Sequence, residues 1–117
     1  MKNIIKAITL VPHLRTGTGV SIERTNFETD ELCWALRMDN NTCYSKPHKE
    51  FCYEILPSGR DEQYIKENRY SSLLEALEDF KNYLDNLEKN PMKDYMIANF
   101  HYDVLKKHLS VLEEISQ

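Results

Sequence analysis

The stretch from Ser71 to Lys89 constrains the fold more than any other part of the chain. Leu73, Leu77, Phe80, Leu84 and Leu87 follow one another at steps of four, three, four and three. That spacing puts all five on one face of an α-helix, with Ala76 and Tyr83 widening the stripe. Ser72 with Glu75 three residues later has the form of a capping box, in which two side chains satisfy free amides of the first turn. Asn90-Pro91 ends the element, because the residue before proline is pushed out of helical geometry. The pattern predicts a helix over 72–89. Its single apolar stripe must be buried against another layer.

A second helix is predicted after Pro91, over 92–115. Ala98, Tyr102, Leu105, Leu109 and Leu112 repeat the same spacing, and Ile97, Val104 and Val111 lie on the adjoining stripe. Two such helices joined at Asn90-Pro91 predict an antiparallel hairpin. The layer they cover is legible upstream. Residues 3–11 are β-branched, apolar on both faces and end at Pro12, which predicts a central strand. Val20–Arg24 alternates apolar with polar. Leu32, Trp34, Leu36 and Met38 alternate with Cys33, Ala35 and Arg37, so Trp34 falls on the buried face. Asp39-Asn40-Asn41 suits a turn, since Asn and Asp tolerate left-handed backbone. Thr42–Tyr44 begins a short return strand interrupted at Pro47, and Phe51, Tyr53 and Ile55 alternate with Cys52, Glu54 and Leu56 to give another. Polar 60–70 reads equally as a short helix or an extended strap. Strands followed by helices define a single α+β domain over 1–117, with an antiparallel sheet over about 3–56 and a C-terminal two-helix hairpin.

Charge narrows the partners. The 117 residues carry 15 basic and 19 acidic side chains, a net −4. Direct nucleic-acid binding needs clustered positive charge and is not expected. No apolar run approaches a membrane span. The apolar start is broken by Lys6, Thr9 and Pro12 with no small-residue cleavage site, so a cytoplasmic location is expected. Cys33, Cys43 and Cys52 are an odd number, which favours reduced structural thiols.

Each chemistry has a plainer reading beside it. Cys43, His48 and Cys52 lie within ten residues, with Cys33 nearby. Zinc sites use tight cysteine pairs two to four residues apart, and none occurs, so no metal or other cofactor is expected. His13, His48, His101 and His108 could serve a Cys43 or Cys52 nucleophile, but no local signature accompanies them. Arg15 precedes Thr16-Gly17-Thr18-Gly19, whose glycines would let amides approach an anion; the full phosphate-loop pattern is missing. Glu75, Glu78, Asp79, Asp85 and Glu88 crowd the polar side of the first helix, where a solvated face is the default. Arg60-Asp61 with Arg69-Tyr70 forms either a turn or a recognition surface, Tyr and Arg being favoured where proteins meet.

Four short segments together resemble small phage- and prophage-encoded proteins: Glu31–Arg37 around Trp34, Phe51–Glu54, Pro57-Ser58-Gly59-Arg60-Asp61, and Arg69–Leu77. Those proteins are similar in pairing a Trp strand and a Pro-Ser-x-Arg-Asp turn with a Ser-Leu-x-Glu-Ala-Leu helix. The likeness covers about residues 31–80 and carries over no catalytic residue. It implies an anti-defence factor of the anti-CRISPR kind. The leading expectation is therefore a non-enzymatic inhibitor that binds a basic surface of a host protein through Glu78, Asp79, Asp85 and Glu88. A sponge for a signalling nucleotide, holding phosphates with Arg15, Arg60 or Arg69, is the alternative. A small Cys/His-dependent enzyme is the third. A homodimer is also expected, because the apolar stripes are wider than one small domain readily hides.

Overall fold

The computed structural model describes residues 6–12, 19–25, 31–39 and 41–116. Five strands form one antiparallel sheet in sequential order: β1 (Ala7–Val11), β2 (Val20–Arg24), β3 (Trp34–Met38), β4 (Thr42–Ser45) and β5 (Glu50–Tyr53). A 3₁₀ turn at Pro57–Gly59 and α1 (Glu62–Asn68) follow, then α2 (Leu73–Asn86), α3 (Pro91–Ala98) and α4 (Tyr102–Ser116). This is the α+β order that the alternation and the helical stripes predict.

Register assigns the two sheet faces. Ile8, Ile22 and Leu36 are opposed across β1, β2 and β3, and Tyr44 is opposed to Phe51 across β4 and β5. This face carries the core. Trp34 and Leu36 pack with Leu73, Ala76, Leu77 and Phe80 of α2, while Met96 of α3 and Leu109 of α4 close the cluster. The next row runs Thr9–Ser21–Arg37–Cys43–Cys52 across all five strands and lies on the opposite face. Thus one face is apolar and covered by α2, α3 and α4, and the other is polar, with α1 packed over it at Cys43 of β4.

Three expectations are corrected. β1 is an edge strand, not a central one; Ala7 and Thr9 are exposed, and only Leu10 and Val11 are buried. The helix expected over 92–115 is broken at 99–101. Asn99 caps α3, its side-chain amide donating to the Tyr95 carbonyl at 2.8 Å. The break lets Phe100 meet Phe80 edge-on at 4.9 Å, a contact worth about 0.5–1.5 kcal/mol beyond burial. Finally, α2 stops at Asn86, short of Lys89. The Lys93 ammonium donates to the Leu87 carbonyl just beyond it at 2.6 Å, a favourable cation at a helix C-terminus.

The start of α2 follows the sequence closely. Ser72 Oγ accepts from the Glu75 amide at 3.1 Å, while Glu75 reaches back to Ser71, not Ser72. Asn41 adopts φ of 59° in the β3–β4 turn, the left-handed geometry that asparagine tolerates. Segment 60–70 resolves into both of its readings: α1, then an extended strap. β3 and β4 pair only at Arg37–Cys43 and Met38–Thr42 before they diverge. Tyr70 fills the opening as a bridge to Trp34, with N–H···O bonds of 2.8 and 3.1 Å, and the Lys46 amide donates to the Glu67 carbonyl at 2.9 Å.

Candidate functional site: an arginine-floored cleft

The strap decides where the arginines go. Because Tyr70 faces the core, its neighbour Arg69 turns to the polar face and is wholly buried. There Glu54, the next residue on the Cys52 side of β5, receives three guanidiniums. Arg69 Nη2 lies 2.6 Å and Arg60 Nη2 2.8 Å from its Oε2, and Arg37 binds in a fork through Nε (2.7 Å to Oε1) and Nη2 (2.5 Å to Oε2). The fork is the strong bidentate form of this pairing. Burial by itself would raise the Glu54 pKa; the hydrogen bond from Arg37 and the charges of Arg37, Arg69 and Arg60 outweigh it and hold the carboxyl below its ordinary value.

Further bonds lock these side chains. Arg60 Nε donates to the Ile55 carbonyl at 2.9 Å and Arg69 Nη1 to the Asn68 carbonyl at 2.9 Å. Arg37 is different. Its side chain keeps about a quarter of its surface exposed. It faces a cleft of about 600 Å³ together with Arg60, Glu23, Asp39, Asn41 and Thr42. Tyr53 and Leu56 stand on the same rim, 69% and 71% exposed. Together they give the cleft an exposed aromatic and an exposed aliphatic side chain beside its guanidiniums. Glu23 and Asp39 keep the mouth from being purely cationic.

The residues singled out from sequence separate into groups. Arg60 and Arg69 meet at Glu54. Arg15 and His13 lie outside the described residues; at the end of that loop the Gly19 amide donates to Asp39 at 2.7 Å. Asp61 caps α1, accepting from the Tyr64 amide at 2.8 Å. Tyr70 donates its hydroxyl to Asp79 at 2.6 Å, and burial, then Asp79, raise its pKa far above that of a free phenol. Glu78 accepts from Tyr102 and pairs with Lys106 at 3.2 Å; Asp85 pairs with Lys81 at 3.0 Å. Glu88 is exposed beyond the end of α2. Asp79 is thus held by Tyr70, while Glu78, Asp85 and Glu88 keep an acidic surface on and just beyond α2.

His48 bonds Ser45 Oγ at 2.8 Å inside the β4–β5 turn, while the Cys43 sulfur lies against Tyr64, Asn68 and Arg69. Among the described residues, no three His, Cys, Asp or Glu side chains group as metal ligands, and no helix is long and apolar enough to cross a membrane. Other exposed apolar residues, Ile97, Val104 and Val111, mark the outer side of α3 and α4.

Sequence reasoning missed Arg37, Tyr53, Glu54 and Leu56. The available signal was the period of two: Glu54 shares the Cys52 face, and Arg37 lies on the face opposite Trp34. What pattern alone does not supply is the return of the strap that brings Arg69 to them. No family model, curated protein or solved structure matches the chain.

Proposed function

We propose that this protein is a non-enzymatic binding protein that acts through contact with another protein, its contact surface being the cleft rim formed by Tyr53, Leu56 and Arg37. The observation that carries the reading is the exposure of Tyr53 and Leu56 directly beside guanidiniums already fixed by Glu54. Tyr and Arg dominate the energetics where proteins meet, and pre-positioned side chains lose little entropy on binding. The acidic residues Glu78 and Asp85 stay exposed on the α2 face beside their lysine partners, and this reading places the contact at the cleft in preference to that face. The partner in this reading is a host defence component, inhibited by occlusion, as the resemblance to phage-type proteins implies.

A second reading has its own support. Arg37 and Arg60 line the cleft together with the ring of Tyr53, a combination that suits the phosphate and base of a nucleotide, with Arg69 buried behind them on Glu54. One experiment separates the two. The tagged protein is used to capture partners from a host lysate, and the bound material is split into protein and heat-released small molecules. A stoichiometric protein that is lost with Tyr53→Ala supports the first reading. A released nucleotide with no retained protein supports the second and overturns the first.

A further inference from the structure

Cys43 and Cys52 are directly opposed across β4 and β5, on the polar face and in the same cross-strand row as Arg37. Both are reduced in the structure. We infer that the two form an oxidation site, a thiol pair that a hydroperoxide converts into a cross-strand disulfide.

Geometry carries the inference. The Glu54 amide donates to the Asn41 carbonyl at 2.9 Å, so by alternation Cys43 and Cys52 form a hydrogen-bonded pair, whose Cα atoms lie about 5.5 Å apart, inside the range of about 4.4–6.8 Å that disulfides span. Their Cβ atoms, about 5.5 Å apart at such a pair, must close by roughly one to two ångströms to reach the usual disulfide separation. β5 is the edge strand, with β4 as its one neighbour in the sheet, so it has room to make that adjustment. Cys33, just before β3, is buried in the core cluster and takes no part.

Access sets the order of events. Cys43 is fully buried and Cys52 is half-buried, so Cys52 meets the oxidant first. Its thiolate attacks one peroxide oxygen, the O–O bond breaks, and the departing hydroxide takes up a proton; Cys52 is left as a sulfenic acid. The Cys43 sulfur then attacks the Cys52 sulfur, the S–O bond breaks, and the Cys43 proton leaves with the hydroxide as water. In sum, two thiols and one hydrogen peroxide give one disulfide and two waters. Burial, then Glu50 and Cys43, raise the Cys52 thiol above its ordinary pKa, so the first step is slow at neutral pH and faster in mild base.

The disulfide would reach the cleft. The reduced Cys43 sulfur lies 3.5 Å from the Tyr64 hydroxyl, 3.7 Å from Asn68 Oδ1 and 3.9 Å from Arg69 Nη1. Turning toward Cys52 withdraws it from all three, and Arg69 is the buried partner of Glu54.

The test uses the full native chain. It is exposed to hydrogen peroxide beside free glutathione as a control for oxidant strength, then denatured, alkylated and mapped by mass spectrometry. The expected result is the loss of two hydrogen atoms, a Cys43–Cys52 linked peptide, an alkylated Cys33 and full reversal by dithiothreitol. In Cys43→Ala, Cys52 should instead advance to sulfinic acid. The proposal is overturned if Cys43 and Cys52 stay alkylatable at doses that consume the glutathione. It is equally overturned if Cys52 over-oxidises in the native chain, or if the linked peptide contains Cys33 or joins two chains. The mapping of the native chain decides the matter even where Cys43→Ala fails to fold.

Discussion

The guanidinium of Arg69 is wholly buried, and its Nη2 lies 2.6 Å from Oε2 of Glu54. A charge removed from water this completely is tolerable only while its counterion remains. Glu54→Ala should therefore destabilise the fold by about 3–5 kcal/mol, the cost of leaving a buried charge unpaired. Arg37→Ala should cost clearly less, because Arg37 is partly solvated and Glu54 keeps two other guanidiniums. Urea denaturation of the two variants checks the order; equal midpoints would mean that the cluster does not hold the strap.

The same cluster sets a pH dependence. Three guanidiniums depress the folded pKa of Glu54 below the unfolded value, about 4.3 for glutamate. A depressed carboxyl contributes stability that is fully present above the unfolded value and lost as pH falls through the folded one. Stability measured at intervals from neutral pH downward should fall more steeply for wild type than for Glu54→Gln in that acid window. Parallel curves would show that Glu54 is not what titrates.

Phe80 and Leu77 sit at the centre of the apolar face, both fully buried. Phe80 also touches the rings of Tyr83 and Phe100. Phe80→Ala should cost about 3–5 kcal/mol and Leu77→Ala about 2–5 kcal/mol, through lost burial and the cavity left behind. Chemical denaturation with both variants indistinguishable from wild type would place the α2 stripe elsewhere.

The fold was legible where period and punctuation agreed. The Leu73–Leu84 stripe, the Ser72 cap and the alternation around Trp34 each satisfy a local rule that the packing then reinforces. Legibility failed where tertiary structure overrides the local pattern. The 4-3-4-3 spacing through Ala98 and Tyr102 is helical, yet the chain breaks at Asn99 so that Phe100 reaches Phe80. β1 reads as central because both faces are apolar, but the sheet order leaves it at an edge. The site was half legible. Arg60 and Arg69 stood out as cations in polar sequence, whereas Glu54 and Arg37 looked like ordinary outward strand residues. The Tyr70–Trp34 bridge, with the Lys46–Glu67 hydrogen bond beside it, carries Arg69 across to meet them.

Pairing of two copies remains a proposal, and the exposed Val104 and Val111 give it a surface. Light scattering at high concentration should then return twice the 13.9 kDa chain mass, and Val104→Glu should return it to one. A single-chain mass for the native protein would remove the idea.

Capture of a host protein by matched variants tests the central claim most directly. Tyr53→Ala combined with Leu56→Ala alters the cleft rim, while Glu78→Gln combined with Asp85→Asn alters the α2 face; both should keep the fold. The account predicts that the rim variant weakens binding of the captured protein at least about tenfold, a loss on the order of 1.4 kcal/mol or more, while the α2 variant binds like wild type. Undiminished binding by the rim variant, with loss confined to the α2 variant, would contradict it and return the contact to the acidic face.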